Sequence, residues 1–82
     1  MKTSPKSIYD LRYQRLIAEL VEIRKNKELS QRDLAKLAKV SNCFIGRVET
    51  RERRLDLIEF IDLCKVLGLK KHDIIKIIEK LI

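Results

Sequence analysis

The fold is decided by the stretch QRDLAKLAKVSNCFIGRVET, which occupies residues 31–50. Its apolar residues recur at three- and four-residue steps, and this spacing puts them on one helical face in each of two groups: Leu34, Ala35 and Ala38, then Ile45 and Val48 with Phe44 beside them. Val40 stands between the groups, where a turn needs an inward side chain. The opposite faces carry polar, small or basic residues: Arg32, Lys36, Asn42, Cys43, Gly46 and Arg47. The spacing therefore predicts two short helices joined by a tight turn, a helix-turn-helix.

This stretch and its flanking residues resemble the lambda-repressor-like (Xre or Cro-type) DNA-binding family. The matching residues are Leu29-Ser30-Gln31, Leu34-Ala35, Val40-Ser41, Ile45, Arg47, Val48, Glu49, Glu52-Arg53-Arg54-Leu55-Asp56, Glu59-Phe60 and Leu67-Gly68-Leu69. The resemblance covers roughly residues 16–82. It implies an all-α, five-helix domain that binds double-stranded DNA, and small stand-alone members such as restriction–modification controller proteins or phage repressors are the most similar type.

Two positions depart from the family pattern. Lys39 holds the turn position and Arg51 follows the second helix, where the family usually has glycine. Both sites favour a left-handed backbone in the family, which a residue with a side chain adopts only at a cost in free energy.

Composition and charge agree with a single helical domain. Eighty-two residues allow one domain, and two glycines and one proline leave little material for turns. The net charge is +7, and all of it lies in residues 1–54, because residues 55–82 hold five basic and five acidic side chains. This distribution predicts a DNA-facing end and a neutral partner-facing end. A basic surface that is merely solvated is the alternative.

Nothing in the sequence indicates catalysis, a cofactor or a metal. Cys43 and Cys64 have neither metal-ligand spacing nor a disulfide framework, and there is one histidine. Lys2 and Lys6 are followed by no apolar signal segment, and no apolar run has membrane-spanning length. We expect a cytoplasmic protein that is not an enzyme.

N-cap residues in the sequence predict where the helices begin. Residues 1–6 are expected to be flexible, and the domain to run over 7–82. Ser7 is the favoured cap of the first helix, with Ser4-Pro5 as the alternative, and the helix is expected to end near Lys25. Its inward stripe is Tyr9, Tyr13, Leu16, Ile17, Leu20 and Ile23, and its outer side Arg12, Arg15, Glu19, Glu22 and Arg24.

The remaining helices have similar signals. The predicted caps of helices two, three and four are Ser30 with Asp33, Ser41, and Asp56 with Glu59. The fourth helix is so apolar that we expect it to be the most buried, and Gly68 to end it. The fifth is predicted over residues 71–81.

The second helix of the motif is the candidate recognition helix. Its first turns carry the predicted base contacts Ser41, Asn42, Cys43, Gly46 and Arg47. Asn42 can pair with adenine, Arg47 with guanine or a phosphate, and Cys43 can offer apolar contact to a thymine methyl. Gly46 either permits close approach of the backbone to the duplex or has no special role. Phe44 is expected to extend the core.

The predicted phosphate contacts flank this helix: Gln31, Arg32, Lys36, Thr50, Arg51, Arg53 and Arg54. The role of Gln31 and the path of the loop along the backbone are implied by the family resemblance. Guanidinium groups suit phosphate, although Glu52 is a local alternative partner for one of them.

The fifth helix is predicted to join two copies of the chain. One stripe, 74–78–81, would face its own domain, and a second, Ile75, Ile78 and Ile82, would form a dimer interface. The alternative is that Ile75 and Ile82 pack under the first helix. The function predicted from all of this is a homodimeric, sequence-specific regulator of transcription that binds a (pseudo)palindromic operator. The alternative is an antitoxin or similar module that binds a partner protein and its own promoter.

Overall fold

The computed structural model describes residues 10–82, which form five α-helices and no strand. The helices are α1 Leu11–Asn26, α2 Gln31–Ala38, α3 Asn42–Glu49, α4 Leu57–Val66 and α5 Lys71–Glu79. The prediction of an all-α, five-helix domain is confirmed. None of the described helices is both long and apolar enough to cross a membrane.

The predicted caps of three helices are confirmed. The Asp33 N–H donates to Ser30 Oγ at 3.0 Å, and the Ser30 N–H donates back to the Asp33 carboxylate at 2.9 Å. Asp56 and Glu59 exchange the same pair of bonds, and Ser41 Oγ accepts from the Phe44 N–H at 3.0 Å. These bonds satisfy backbone donors that have no partner within their helix.

The first described helix begins later than predicted. Asp10 is its N-cap and accepts from the Arg12 N–H at 2.7 Å. Hydrogen bonds from the Arg12 side chain and then its backbone lower the pKa of Asp10 to about 2. The predicted cap Ser7, its alternative Ser4-Pro5, Tyr9 and the flexible segment 1–6 lie outside the described residues.

The core lies beneath the helix-turn-helix. Helices α2 and α3 pack on each other, α4 covers α2, and α1 contacts both α3 and α5. The buried apolar residues are Ile17, Leu20, Leu34, Ala35, Ile45, Val48, Leu55, Phe60, Leu63, Cys64, Leu67 and Ile77. Phe44 packs against this core, as predicted. Burial raises the pKa of Cys64 to about 11, so its thiol behaves as an apolar core group.

The faces of the last two helices differ from the prediction. Leu57 and Ile58 of α4 are about two-thirds exposed, since only one face of the helix meets the core. In α5 the buried residue is Ile77, at 5 % exposure, whereas Ile78 is 39 % exposed. The inward stripe is therefore 74–77–81 and not 74–78–81. The α-helix ends at Glu79, two residues before the predicted end.

Candidate nucleic-acid interface

The outward face of α3 gathers the predicted base-contact residues. Ser41, Asn42, Cys43 and Arg47 are exposed and Gly46 is half-buried, while Ile45 and Val48 of the same helix are buried. The helix therefore fixes its position through one side and leaves the other uncovered. Asn42 and Cys43 lie in the first turn, at the end of the helix that Ser41 caps.

Gly46 is not required by the packing of the protein. A Cβ atom built at this position would lie 3.8 Å from Gln31 Oε1, which is an ordinary van der Waals distance. Glycine in a helix interior costs up to about 1 kcal/mol relative to alanine. The packing of the protein therefore does not require glycine at this position, and alanine should make the fold more stable.

The backbone is left-handed at both positions where the family usually has glycine. Lys39 has φ 59° and Arg51 has φ 68°, so both residues keep the backbone conformation of the family in spite of their side chains. The Val40 N–H donates back to the Ala35 carbonyl at 3.0 Å and closes the end of α2. A third left-handed residue, Glu28 at φ 59°, ends the turn after α1 and was not predicted.

The turn of the motif is less enclosed than predicted. Val40 was expected to be an inward plug, but its side chain is 37 % exposed. It lines a shallow surface groove with Phe44 and Leu63. The bonds that close the end of α2 are made by the backbone, so the turn forms without a buried side chain at this position.

A buried ion pair joins α1 to the end of α3. Arg24 Nε donates to Glu49 Oε2 at 2.7 Å and Arg24 Nη2 donates to Glu49 Oε1 at 3.0 Å. Arg24 Nη1 donates to the Leu29 carbonyl at 2.6 Å. Arg24 is 8 % exposed, so its prediction on the outer side of the first helix is wrong. The burial is possible because the planar guanidinium finds three acceptors in its own plane.

The same carboxylate orients Gln31. The Gln31 Nε2 amide group donates to Glu49 Oε1 at 2.8 Å, so Glu49 serves both Arg24 and Gln31. Gln31 is exposed in the first turn of α2, where unpaired backbone N–H groups favour an anion. Glu49 therefore sets the orientation of a side chain for which the family resemblance implies a phosphate contact.

The arginine loop, residues 51–54, is partly tied to the fold. Arg53 Nη2 donates to Glu59 Oε2 at 2.7 Å, and its guanidinium carbon lies 4.9 Å from the centre of the Phe44 ring. Arg53 is thus engaged within the protein, whereas Arg51 is exposed and forms no ion pair with another described residue. Glu52 accepts a hydrogen bond from Thr50 Oγ1 at 3.1 Å.

Comparison with known proteins identifies the fold. Residues 20–75 match the model of the helix-turn-helix family HTH_3. The chain belongs to this family. A solved structure, an XRE-family like protein from Pseudomonas syringae pv. tomato str. DC3000, is similar to it with a TM-score of 0.79. The two share 36% sequence identity over 94% of this chain and 90% of that one. No curated protein was matched.

Membership of the Xre-type helix-turn-helix family makes the chain a DNA-binding regulator of transcription, and α2 and α3 are its motif. The uncovered face of α3 is thus the candidate DNA surface. The sequence identified this face, but it missed Arg24, and it matched Glu49 and Glu59 to the family without a role. Within residues 10–82 no group of His, Cys, Asp and Glu side chains could hold a metal ion.

Proposed function

We propose that the protein is a sequence-specific regulator that inserts α3 into the major groove of double-stranded DNA and acts as a homodimer on a (pseudo)palindromic operator. The observation that carries the proposal is the capped, uncovered face of α3, which presents Asn42, Cys43, Gly46 and Arg47 beside exposed cations. A helix fits the major groove, and the side chains of its first turns reach base edges there.

Each base contact has a chemical rationale. Asn42 can pair bidentately with adenine, Arg47 can donate to guanine or to a phosphate, and Cys43 can contact a thymine methyl. Ser41 lies at the entry to the helix. Because the protein itself leaves room for a side chain at Gly46, we attribute this glycine to close approach of the DNA.

Phosphate contacts on both sides of α3 would set its register on the duplex. On the α2 side the candidates are Gln31, Arg32 and Lys36, all exposed, and on the loop side Thr50, Arg51, Arg53 and Arg54. Of these, Arg53 is held by Glu59 and Phe44, so we assign it mainly to shaping the loop. Such contacts supply affinity and orientation without reading sequence.

The proposed dimer contact is the outer face of α5 and the residues after it. Ile75 is 55 % exposed, Ile78 39 % and Ile82 100 %, so the alternative that Ile75 and Ile82 pack under the first helix is wrong. Exposed apolar side chains of this number favour burial against a partner. A second copy suits the surface because residues 55–82 are electrically neutral, and two cationic chains can meet there with little repulsion.

Selection of binding sites from a random duplex pool tests the function. We expect an enriched site with two-fold symmetry and half-sites about one helical turn, ~34 Å, apart. Binding to the enriched site should weaken steeply with salt, with a slope of about −0.9 for each phosphate neutralised. Arg47→Ala should relax discrimination at one position and cost about 1–3 kcal/mol.

Failure of the selection would reject the proposal. No enriched site, together with a tight complex between this protein and another protein, would favour the antitoxin alternative. An enriched site without two-fold symmetry would reject the homodimer and keep sequence-specific binding.

A further inference from the structure

The arginine loop is anchored to the recognition helix at its entry. The N–H groups of Glu52 and Arg53 both donate to the Arg47 carbonyl, at 2.8 and 3.1 Å, and the Arg51 N–H donates to the Val48 carbonyl at 3.0 Å. The loop therefore starts in a fixed direction relative to α3. Near the exit of the loop, Arg53 Nη1 donates to the Arg54 carbonyl at 2.6 Å and Arg53 Nη2 donates to Glu59 Oε2 at 2.7 Å.

Tyr13 makes a further bond at the exit, and it comes from α1. The Leu55 N–H donates to Tyr13 Oη at 3.1 Å, across 42 residues of chain. Leu55 is 9 % exposed and directly follows Arg54, so this bond supplies a partner to a backbone donor in a largely buried residue. It also fixes where the chain leaves the loop.

The Tyr13 hydroxyl is itself held in place by apolar packing. Its side chain is half-buried in α1 and lines one surface groove with Leu16, Ile78 and Leu81, and an adjoining groove with Leu55. The ring packs against the hydrophobic core, and this contact limits the positions that the hydroxyl can take. The Tyr13 hydroxyl therefore reaches the loop from α1, a helix that lies far from the loop along the chain.

We infer that Tyr13 is a positioning residue for DNA binding, which helps to fix the exit of the arginine loop so that Arg54 is presented to the phosphate backbone before the duplex arrives. The inference rests on the proposed function. Tyr13 does not touch DNA. A loop ordered in advance loses less conformational entropy on binding, and affinity gains by that difference.

The experiment replaces Tyr13 by phenylalanine, which keeps the ring and removes only the acceptor. We expect operator binding to weaken about three- to tenfold, the range that corresponds to the loss of one hydrogen bond. We also expect a shallower dependence on salt, because a mobile loop holds fewer phosphates, and faster hydrogen exchange of the Leu55 amide.

A matched control separates positioning from stability. Cys64→Ala removes a fully buried side chain of α4 and lowers stability without removing any bond of the loop. Measured well below its melting temperature, this variant should keep the parental salt dependence. An equal change of salt slope in both variants would overturn the inference.

A double-mutant cycle with Arg54→Ala gives the second readout. Loss of Arg54 should reduce affinity less in the Tyr13→Phe protein than in the parent, because the exit of the loop no longer holds this residue in place. Equal losses in the two backgrounds, or Tyr13→Phe binding like the parent, would overturn the inference alone. Failure of the parent itself to bind duplex DNA would instead reject the proposed function.

Discussion

Arg24, the one charged residue that is buried within residues 10–82, connects the stability of the domain to the candidate DNA surface. Its guanidinium bonds to Glu49, which in turn holds the amide of Gln31. Sequence periodicity could not reveal this, because a charged residue is normally placed on the solvent side and its partner lies 25 positions away. Only the fold brings the three side chains together.

Replacement of Arg24 by alanine should lower the free energy of unfolding by about 3–5 kcal/mol, because it leaves the Glu49 carboxylate in a largely buried site without its cation. Urea unfolding measures this change. Arg12→Ala is the control, since Arg12 pairs with Asp10 at the surface with 70 % of its side chain exposed, and it should hardly move the midpoint. Similar small effects of both substitutions would contradict the structural role of Arg24.

Gly46→Ala should separate the requirements of the fold from those of DNA binding. We expect the melting temperature to rise, with a gain of up to about 1 kcal/mol in stability, since the new methyl group meets only ordinary contacts. Operator affinity should fall, because the methyl group would keep the helix axis away from the base edges. Thermal unfolding and fluorescence anisotropy measure the two effects.

Cys43→Ala is the matched control for this prediction, because it shortens an exposed side chain of the same face without adding bulk. It should reduce affinity less than Gly46→Ala. A Gly46→Ala protein that is more stable and binds the operator as tightly as the parent would show that this glycine has no role at the duplex.

At the scale of the elements, the sequence predicted local features better than it predicted which face of a helix is buried. The caps at Ser30, Ser41 and Asp56 follow from chemistry within three residues, which a sequence displays directly. The orientation of α5 does not follow from local chemistry. Apolar residues occur on nearly all sides of this helix, so several stripes fit the same helical period. Packing against the rest of the protein buries Ile77, and no local sequence signal distinguishes this residue from the other isoleucines of α5.

The two faces of α5 lead to a prediction about assembly. Replacement of both Ile75 and Ile78 by glutamate should give a monomer with lower operator affinity, because the proposed interface would bury two charges. Sedimentation equilibrium measures the assembly. Ile58→Glu places the same side chain on the exposed face of α4 and should leave the dimer intact. A dimer that survives the double substitution would place the interface elsewhere.

At the scale of the whole molecule, the charge is divided between two parts of the chain. The sequence predicted this division because it needs only a count along the chain: residues 1–27 carry a net +4, residues 28–54 a net +3, and residues 55–82 no net charge. The sequence could not predict that Arg53 forms contacts within the protein, because these contacts depend on the fold bringing Glu59 and Phe44 next to it. The net charge counted from the sequence therefore overstates the number of cationic side chains that are available to bind DNA.

Because of this division, ionic strength should affect DNA binding and the proposed dimer contact differently. Added salt weakens attraction to a polyanion, whereas contact between uncharged apolar surfaces is insensitive to it or is strengthened. In a concentrated buffer, the proposed dimer would release its operator without dissociating into single chains, and it could rebind on dilution without reassembling.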